Sequence, residues 1–231
     1  MMKLAVVEVK LLTREPGAIF ALLIPLFILV AFGTSIEPGD TVLLPMALAI
    51  AVGLVGLYLL PTTLATYRER GILRRMSTTP VRPANLLAVQ VVLQLVLALA
   101  TCALLIAVAG TVLDARLPTA VGPVAVTFLL GTGAMFAVGL LIAALARNGR
   151  TANGVGVLLY FPMAYLAGLM QPASQMPQLL ARIGEYTPLG AFRQGMHQVW
   201  ADTTPSPVLL GVLAAYAVMI SAVAARFFRW E

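Results

Sequence analysis

Tyr58, Thr62 and Thr66 recur at four-residue spacing beside Pro61, and Gln90 and Gln94 repeat that interval on the next apolar stretch. On a helix the interval puts each set on one face. Such stripes offer hydroxyl and amide hydrogen bonds within otherwise apolar runs. That chemistry suits a polar-tolerant path for amphipathic cargo, and it equally suits bonds between neighbouring membrane helices. Spacing alone leaves both readings open. A third cluster is of another kind. Within Arg68-Glu69-Arg70-Gly71-Ile72-Leu73-Arg74-Arg75-Met76, the residues Ile72, Leu73 and Met76 fall at helical spacing while the arginines lie elsewhere around the axis. The pattern predicts a short helix over 67–77, ended by Pro80 and Pro83. It reads either as a basic loop touching lipid phosphates or as a docking helix that sets its apolar face in a partner's groove. In the second reading Glu69, Arg70, Gly71, Ile72, Leu73 and Met76 are the candidate contacts.

Other chemistries lack their residues. The only lysines are Lys3 and Lys10, so no GxxxxGK[ST] phosphate loop exists in the chain. The single cysteine, Cys102, sits in an apolar run, which excludes a disulfide or a thiolate metal site within one chain. The single histidine, His197, has no evident serine nucleophile beside it. With Arg193 four residues before it, His197 reads as a headgroup contact. No catalytic residue, metal site or cofactor is expected in this chain. The apolar runs also lack central ionisable groups, on which proton relays and many ion-coupled carriers depend. Any uphill transport would draw its energy from another polypeptide.

The elements that position these residues are set by composition. Apolar residues make up 61% of the 231 positions and charged ones only 10%, against about half and a quarter in soluble domains. Runs free of charge and histidine cover 17–36, 41–66, 86–113, 117–146, 151–181 and 203–225. Each is long enough to cross a hydrocarbon core of about 30 Å as a helix. The expected fold is therefore an all-α integral membrane protein, one transmembrane domain over 1–231 with six spans. With the N-terminus inside, twelve of the fifteen basic residues fall on the cytoplasmic side, leaving Arg116, Arg182 and Arg193 outside. That asymmetry places both termini in the cytoplasm. It also assigns the net charge of +6 to membrane orientation rather than to nucleic acid. Residues 1–16 carry Leu4, Val7, Leu11 and Leu12 at helical spacing and predict an amphipathic interfacial helix. Segment 171–207 predicts short external helices before the last span. There Leu189, Phe192, Met196 and Val199 share a face, and Tyr186 and Trp200 act as headgroup anchors; Trp230 is the matching inner anchor. Gly131, Gly133 and Gly139 read as helix-packing positions. Arginine far outnumbers lysine, which points to a GC-rich bacterial genome and hence a bacterial cytoplasmic membrane.

Three patches resemble the permeases of type-2 ABC exporters, of the drug-, polysaccharide- and lipid-export kind. Arg14-Glu15-Pro16 leads into an apolar run with Pro25. Arg68-Glu69-Arg70-Gly71-Ile72-Leu73 precedes Thr79-Pro80-Val81, with Ile72 where threonine is usual and Arg74 where an acid is usual. Gly168-Leu169, Pro172, Pro177, Pro188-Leu189 and Phe192-Arg193-Gln194-Gly195 resemble the loop before the last span. The resemblance implies a permease that pairs with a second copy, as a homo- or heterodimer, and docks ATP-binding cassette subunits. ATP and Mg would sit on those partner subunits. Drug-like or lipid-linked cargo is expected. The alternative is a non-transporting assembly factor or sensor whose basic loop reads a soluble partner.

Overall fold

The computed structural model of the chain describes residues 15–34, 40–71, 83–172 and 175–227. The expected N-terminal amphipathic segment up to residue 14 and Trp230 lie outside these residues, as do Ile72, Leu73 and Met76. Among the described residues the chain is helical and contains no strand. In order come α1 (Pro16–Gly33), α2 (Leu43–Leu54), a π-helical turn (Val55–Leu59), α3 (Leu60–Glu69), α4 (Pro83–Val112) and α5 (Val121–Leu145). Then follow α6 (Gly149–Leu166), α7 (Gln178–Glu185), α8 (Pro188–Trp200) and α9 (Pro207–Phe227). Every apolar run read from the sequence thus contains a helix. Among the described residues four helices are long and apolar enough to cross a membrane: the continuous rod Leu43–Glu69, α4 from Leu86, α5 and α9. Helix α1 is apolar but shorter.

Helix ends follow local chemistry. Asp40 Oδ2 accepts the Val42 and Leu43 backbone N–H groups at 3.1 and 2.7 Å, starting α2. Asn148 accepts the Thr151 N–H and Thr187 the Gly190 N–H, at the starts of α6 and α8. Each satisfies an orphan donor of a first turn. Helix α6 stops where Gly168 takes φ +74°. Its N–H bonds the Tyr165 carbonyl while Leu169 N–H bonds that of Ala164, the paired closure that a left-handed glycine permits.

The rod is the centre of the bundle. Within its apolar window 78% is buried, against 17% for α9, which lies at the rim. Apolar burial cannot by itself draw helices together in lipid, since the surroundings are equally apolar, so close packing must do so. Small residues permit it: Ala47, Ala49, Ala51 and Gly53 of α2 are buried along the rod. Pro61 then interrupts the helical ladder, because it lacks the N–H that would bond the Leu57 carbonyl and its ring crowds that oxygen. The chain widens just before it, with Leu60 N–H reaching back five residues to Val55. Two glycines meet the widened turn. A Cβ at Gly139 of α5 would overlap the Gly56 carbonyl oxygen, and one at Gly156 of α6 would overlap that of Leu57. Backbone from two neighbours therefore lies directly against the carbonyls of the irregular turn. Glycine alone permits that approach, which sets Cα–H groups, weak hydrogen-bond donors, over the two carbonyls.

Helix α8 differs from the interfacial helix expected. Leu189, Phe192, Met196 and Val199 do share a face, and all are buried. Trp200 is buried with them at 1% exposure, so it is a core residue and not a headgroup anchor. The cause is a fit to α5: the Phe192 ring fills the space over Gly131 and meets Phe128 edge-on at 6.2 Å. Helix α8 also packs on α2 and α9. Tyr186 stays half exposed.

The glycine contacts make a graded prediction. Gly139→Ala or Gly156→Ala sets a methyl group against fixed backbone and should cost about 1–3 kcal/mol. Gly133→Ala would place its methyl 3.7 Å from Ala217 Cβ, an ordinary contact, and should change stability by less than about 0.5 kcal/mol. Thermal stability of the three variants in detergent, followed by size-exclusion chromatography, checks the order. Equal losses in all three would show that the turn is not closely packed.

Candidate functional site

An apolar groove lies between α1, the rod and α6. Its volume is about 490 Å³, with Phe20, Ile24 and Ile28 on one side and Tyr160, Phe161 and Met170 on another. Ile50, Leu54 and Tyr58 of the rod also line it. Tyr160 and Phe161 meet edge-to-face at 5.8 Å. Nothing in this wall is charged, so the groove suits an apolar or amphipathic guest or the face of another helix.

Of the five residues read as a cargo path, only Tyr58 lines this groove. Thr62 Oγ1 is buried without a hydrogen-bond partner, and Thr66 packs against Gly149 at the start of α6. Gln90 and Gln94, at 2% and 0% exposure, are enclosed within the bundle. Neither amide of Gln94 nor the Gln90 carbonyl has a partner. Among the described residues no hydrogen bond joins the two stripes.

The end of α3 carries a feature that spacing did not reveal. Arg68 Nη1 donates to the Ala144 carbonyl at 3.3 Å, in the last turn of α5. Glu69 Oε2 accepts the Gly149 backbone N–H at 3.1 Å, at the first residue of α6. Adjacent residues of one helix thus hold the end of a second and the beginning of a third. Each charge matches the helix end it meets, cation on the carbonyl end and anion on the amide end, worth about 0.3–1 kcal/mol apiece at an exposed site. The partners are backbone atoms, so the sequence signal was limited to opposite charges at a helix end and Asn148 at the next helix start. One residue further, Arg70 N–H bonds the Thr66 carbonyl and Gly71 turns the chain at φ +67°. Of the helix expected over 67–77, Tyr67–Glu69 belong to α3, which ends before the left-handed Gly71, and residues 72–77 lie outside the described residues.

Polar contacts also tie the opposite end of the rod. Thr41 Oγ1 lies 3.4 Å from His197 Nε2. Burial lowers the His197 pKa, Arg193 adds to this and Asp40 opposes it, so the imidazole is neutral at physiological pH. Arg116 pairs with Asp202, whose backbone adopts φ +54°.

Removing the Glu69 carboxylate should loosen the first turn of α6. In Glu69→Ala the amides of 149–152 should exchange hydrogen at least several-fold faster, for a lost cap worth about 0.5–2 kcal/mol. Glu69→Gln keeps an acceptor and should fall between. Exchange at 149–152 that matches the parent protein in both variants would remove Glu69 from this role.

No curated protein matches the chain. The family profile described as ABC-2 type transporter matches residues 3–199, which includes the rod, the α3 end, the groove and α8. Members of that family are membrane subunits of ABC transporters, and membership implies pairing with an ATP-binding subunit. The chain belongs to the ABC-2 type transporter family of membrane permeases.

Proposed function

We propose that this chain is the permease subunit of an ATP-driven exporter of amphipathic, drug-like or lipid-linked cargo. It crosses a bacterial cytoplasmic membrane six times with both ends inside, and works as a dimer with separate ATP-binding subunits. The observation that carries the reading is the uncharged groove between α1, the rod and α6 on a chain of this family. The proposed fifth and first spans are α6 and α1, which flank that groove. The twelve basic residues on one side of the six-span map support the orientation. The absence of a lysine-bearing phosphate loop in the sequence supports hydrolysis on a partner.

Coupling follows from the α3 end. The segment with Ile72, Leu73 and Met76 would dock on the ATP-binding subunit, with Arg70 and Gly71 leading into it. A push on that segment would reach Arg68 and Glu69, and through them the ends of α5 and α6. Helix α6 forms one wall of the groove, so motion at the docking site would alter the cargo side.

Purification from the native cell in mild detergent tests the reading directly: an ATP-binding subunit should accompany the permease in equal amount. Leu73→Asp should weaken that complex by more than tenfold, since burying a leucine side chain contributes about 1.5–3 kcal/mol. Arg74→Ala should have a smaller, salt-dependent effect, as exposed ion pairs contribute about 0–1 kcal/mol. A normally inserted Leu73→Asp protein that keeps its ATPase and exports would overturn the docking role. For topology, a cysteine at Pro172 or Asp202 should react with an impermeant reagent from outside, and one at Ser77 only after permeabilisation. Labelling of position 77 in sealed cells would contradict the six-span map. For the path, Tyr58→Ala should change cargo-stimulated ATP hydrolysis, whereas Gln94→Leu should leave it unchanged. The reverse result would move the path away from the groove and into the bundle.

A further inference from the structure

Two cavities meet at Tyr186, away from the groove described above and sharing none of its lining residues. The first, of about 250 Å³, is lined by Glu185, Tyr186, Gln194, Gln198 and Ser206, with Val208 and Leu209. The second, of about 350 Å³, continues from Tyr186 along Val212, Ala215, Tyr216, Met219 and Ile220 of α9. Residues 212, 215, 216, 219 and 220 occupy one helical face over about 12 Å of axis. Polarity therefore changes sharply at one residue. Beside the start of α9 the lining is polar, and along the spanning helix it is apolar.

The polar cavity has a definite donor and acceptor set. Gln198 Oε1 accepts the Ser206 backbone N–H at 2.8 Å, and Gln194 Oε1 accepts from Arg193 Nη2 at 3.4 Å. Each glutamine oxygen is engaged, which leaves both side-chain amide groups to donate. They lie one helical turn apart on α8, on the same face. The Tyr186 hydroxyl adds a donor or acceptor, and Glu185 supplies the one carboxylate. No lysine or arginine lines the cavity, but Arg193 stands one hydrogen bond behind Gln194. Amide donors backed by a guanidinium suit a phosphodiester oxygen, and a carboxylate alongside suits an ammonium group. A fully anionic headgroup would meet the Glu185 carboxylate at the cavity wall, while the nearest guanidinium, Arg193, stands behind Gln194 and already interacts with Glu185. An apolar guest would leave the glutamine donors unpaired.

We propose that this composite is a binding site for a zwitterionic membrane phospholipid of the phosphatidylethanolamine type. The phosphate meets the Gln194 and Gln198 amides, the ammonium meets Glu185, and one acyl chain lies along Val212, Tyr216 and Met219. Helix α9 is long and apolar enough to span, and the polar cavity lies at its first residues. The headgroup therefore sits at the depth where a bilayer would present it.

The test uses the full-length protein in nanodiscs doped with phosphatidylethanolamine or phosphatidylglycerol that carries a photoreactive diazirine in one acyl chain. Labelled peptides are quantified by mass spectrometry. Phosphatidylethanolamine should label residues 208–220 about tenfold more than phosphatidylglycerol, the factor of one hydrogen bond to a charged group. Glu185→Gln should reduce that preference to near parity. Ala215→Trp, at an exposed position on α9, should fill the groove and suppress labelling by both lipids. Equal labelling by the two lipids in the parent protein would leave only unselective boundary lipid and overturn the proposal. Retention of the preference in Glu185→Gln, or of the labelling in Ala215→Trp, would also overturn it. The assay involves neither ATP nor transport, so its failure leaves the exporter reading standing, and failure of that reading leaves this site.

Discussion

Inside hydrocarbon no water is available to satisfy a backbone amide or carbonyl, and every irregularity in a helix must be answered by protein. The rod Leu43–Glu69 contains such an irregularity at its centre, where Pro61 breaks the ladder and Val55–Leu59 widens into a π turn. There Gly139 and Gly156 set their backbones against the Gly56 and Leu57 carbonyls and close the site to lipid. The rest of the arrangement depends on that contact. It fixes where α5 and α6 cross the rod. It also brings α6 close enough to form a groove wall and to start beneath Glu69. A larger residue at Gly139 would push α5 from the rod, and one at Gly156 would push α6 from it.

Charge is used sparingly and at ends. The rod is uncharged from Leu43 to Tyr67, then presents Arg68 and Glu69 in succession. Placed within a span, either would be costly. At the tip each meets exposed backbone of matching polarity, so two hydrogen bonds link three helices with no charge taken into the apolar interior. The linkage lies next to Gly71, which separates it from the segment read as the docking site. The end of the rod, the left-handed Gly71 and a stretch of apolar and basic residues therefore follow one another within a few positions of the sequence.

Much of the helical layout was legible because spans must be long and apolar, and that leaves a plain mark in composition. The shared face of Leu189, Phe192, Met196 and Val199 was visible too. Orientation about each axis was not. The spanning helices are apolar all round, so no stripe marks the inner face. That is why Gln90 and Gln94 could be placed on a helix but not within the bundle. Trp200 was misread for a related reason. Tryptophan suits both a membrane boundary and a packed interior, and only the gap at Gly131 into which α8 settles decides between them. The partners of Arg68 and Glu69 are main-chain atoms of Ala144 and Gly149, which any residue type would supply.

The π turn also bears on how such a chain can change length. A π turn holds one residue more than the α-helical path it replaces, so the segments on either side keep the register of a regular helix one residue shorter. Removal of a single residue between Val55 and Leu59 would let the turn close while Arg68 and Glu69 stay at the ends of α5 and α6, at the cost of setting the Pro61 ring against the carbonyl four residues before it. Elsewhere in the rod, the loss of one residue would rotate everything beyond by about 100° and shift it by about 1.5 Å. The segment 55–59 should therefore be the place in the rod where a change of length by one residue disturbs the far end least.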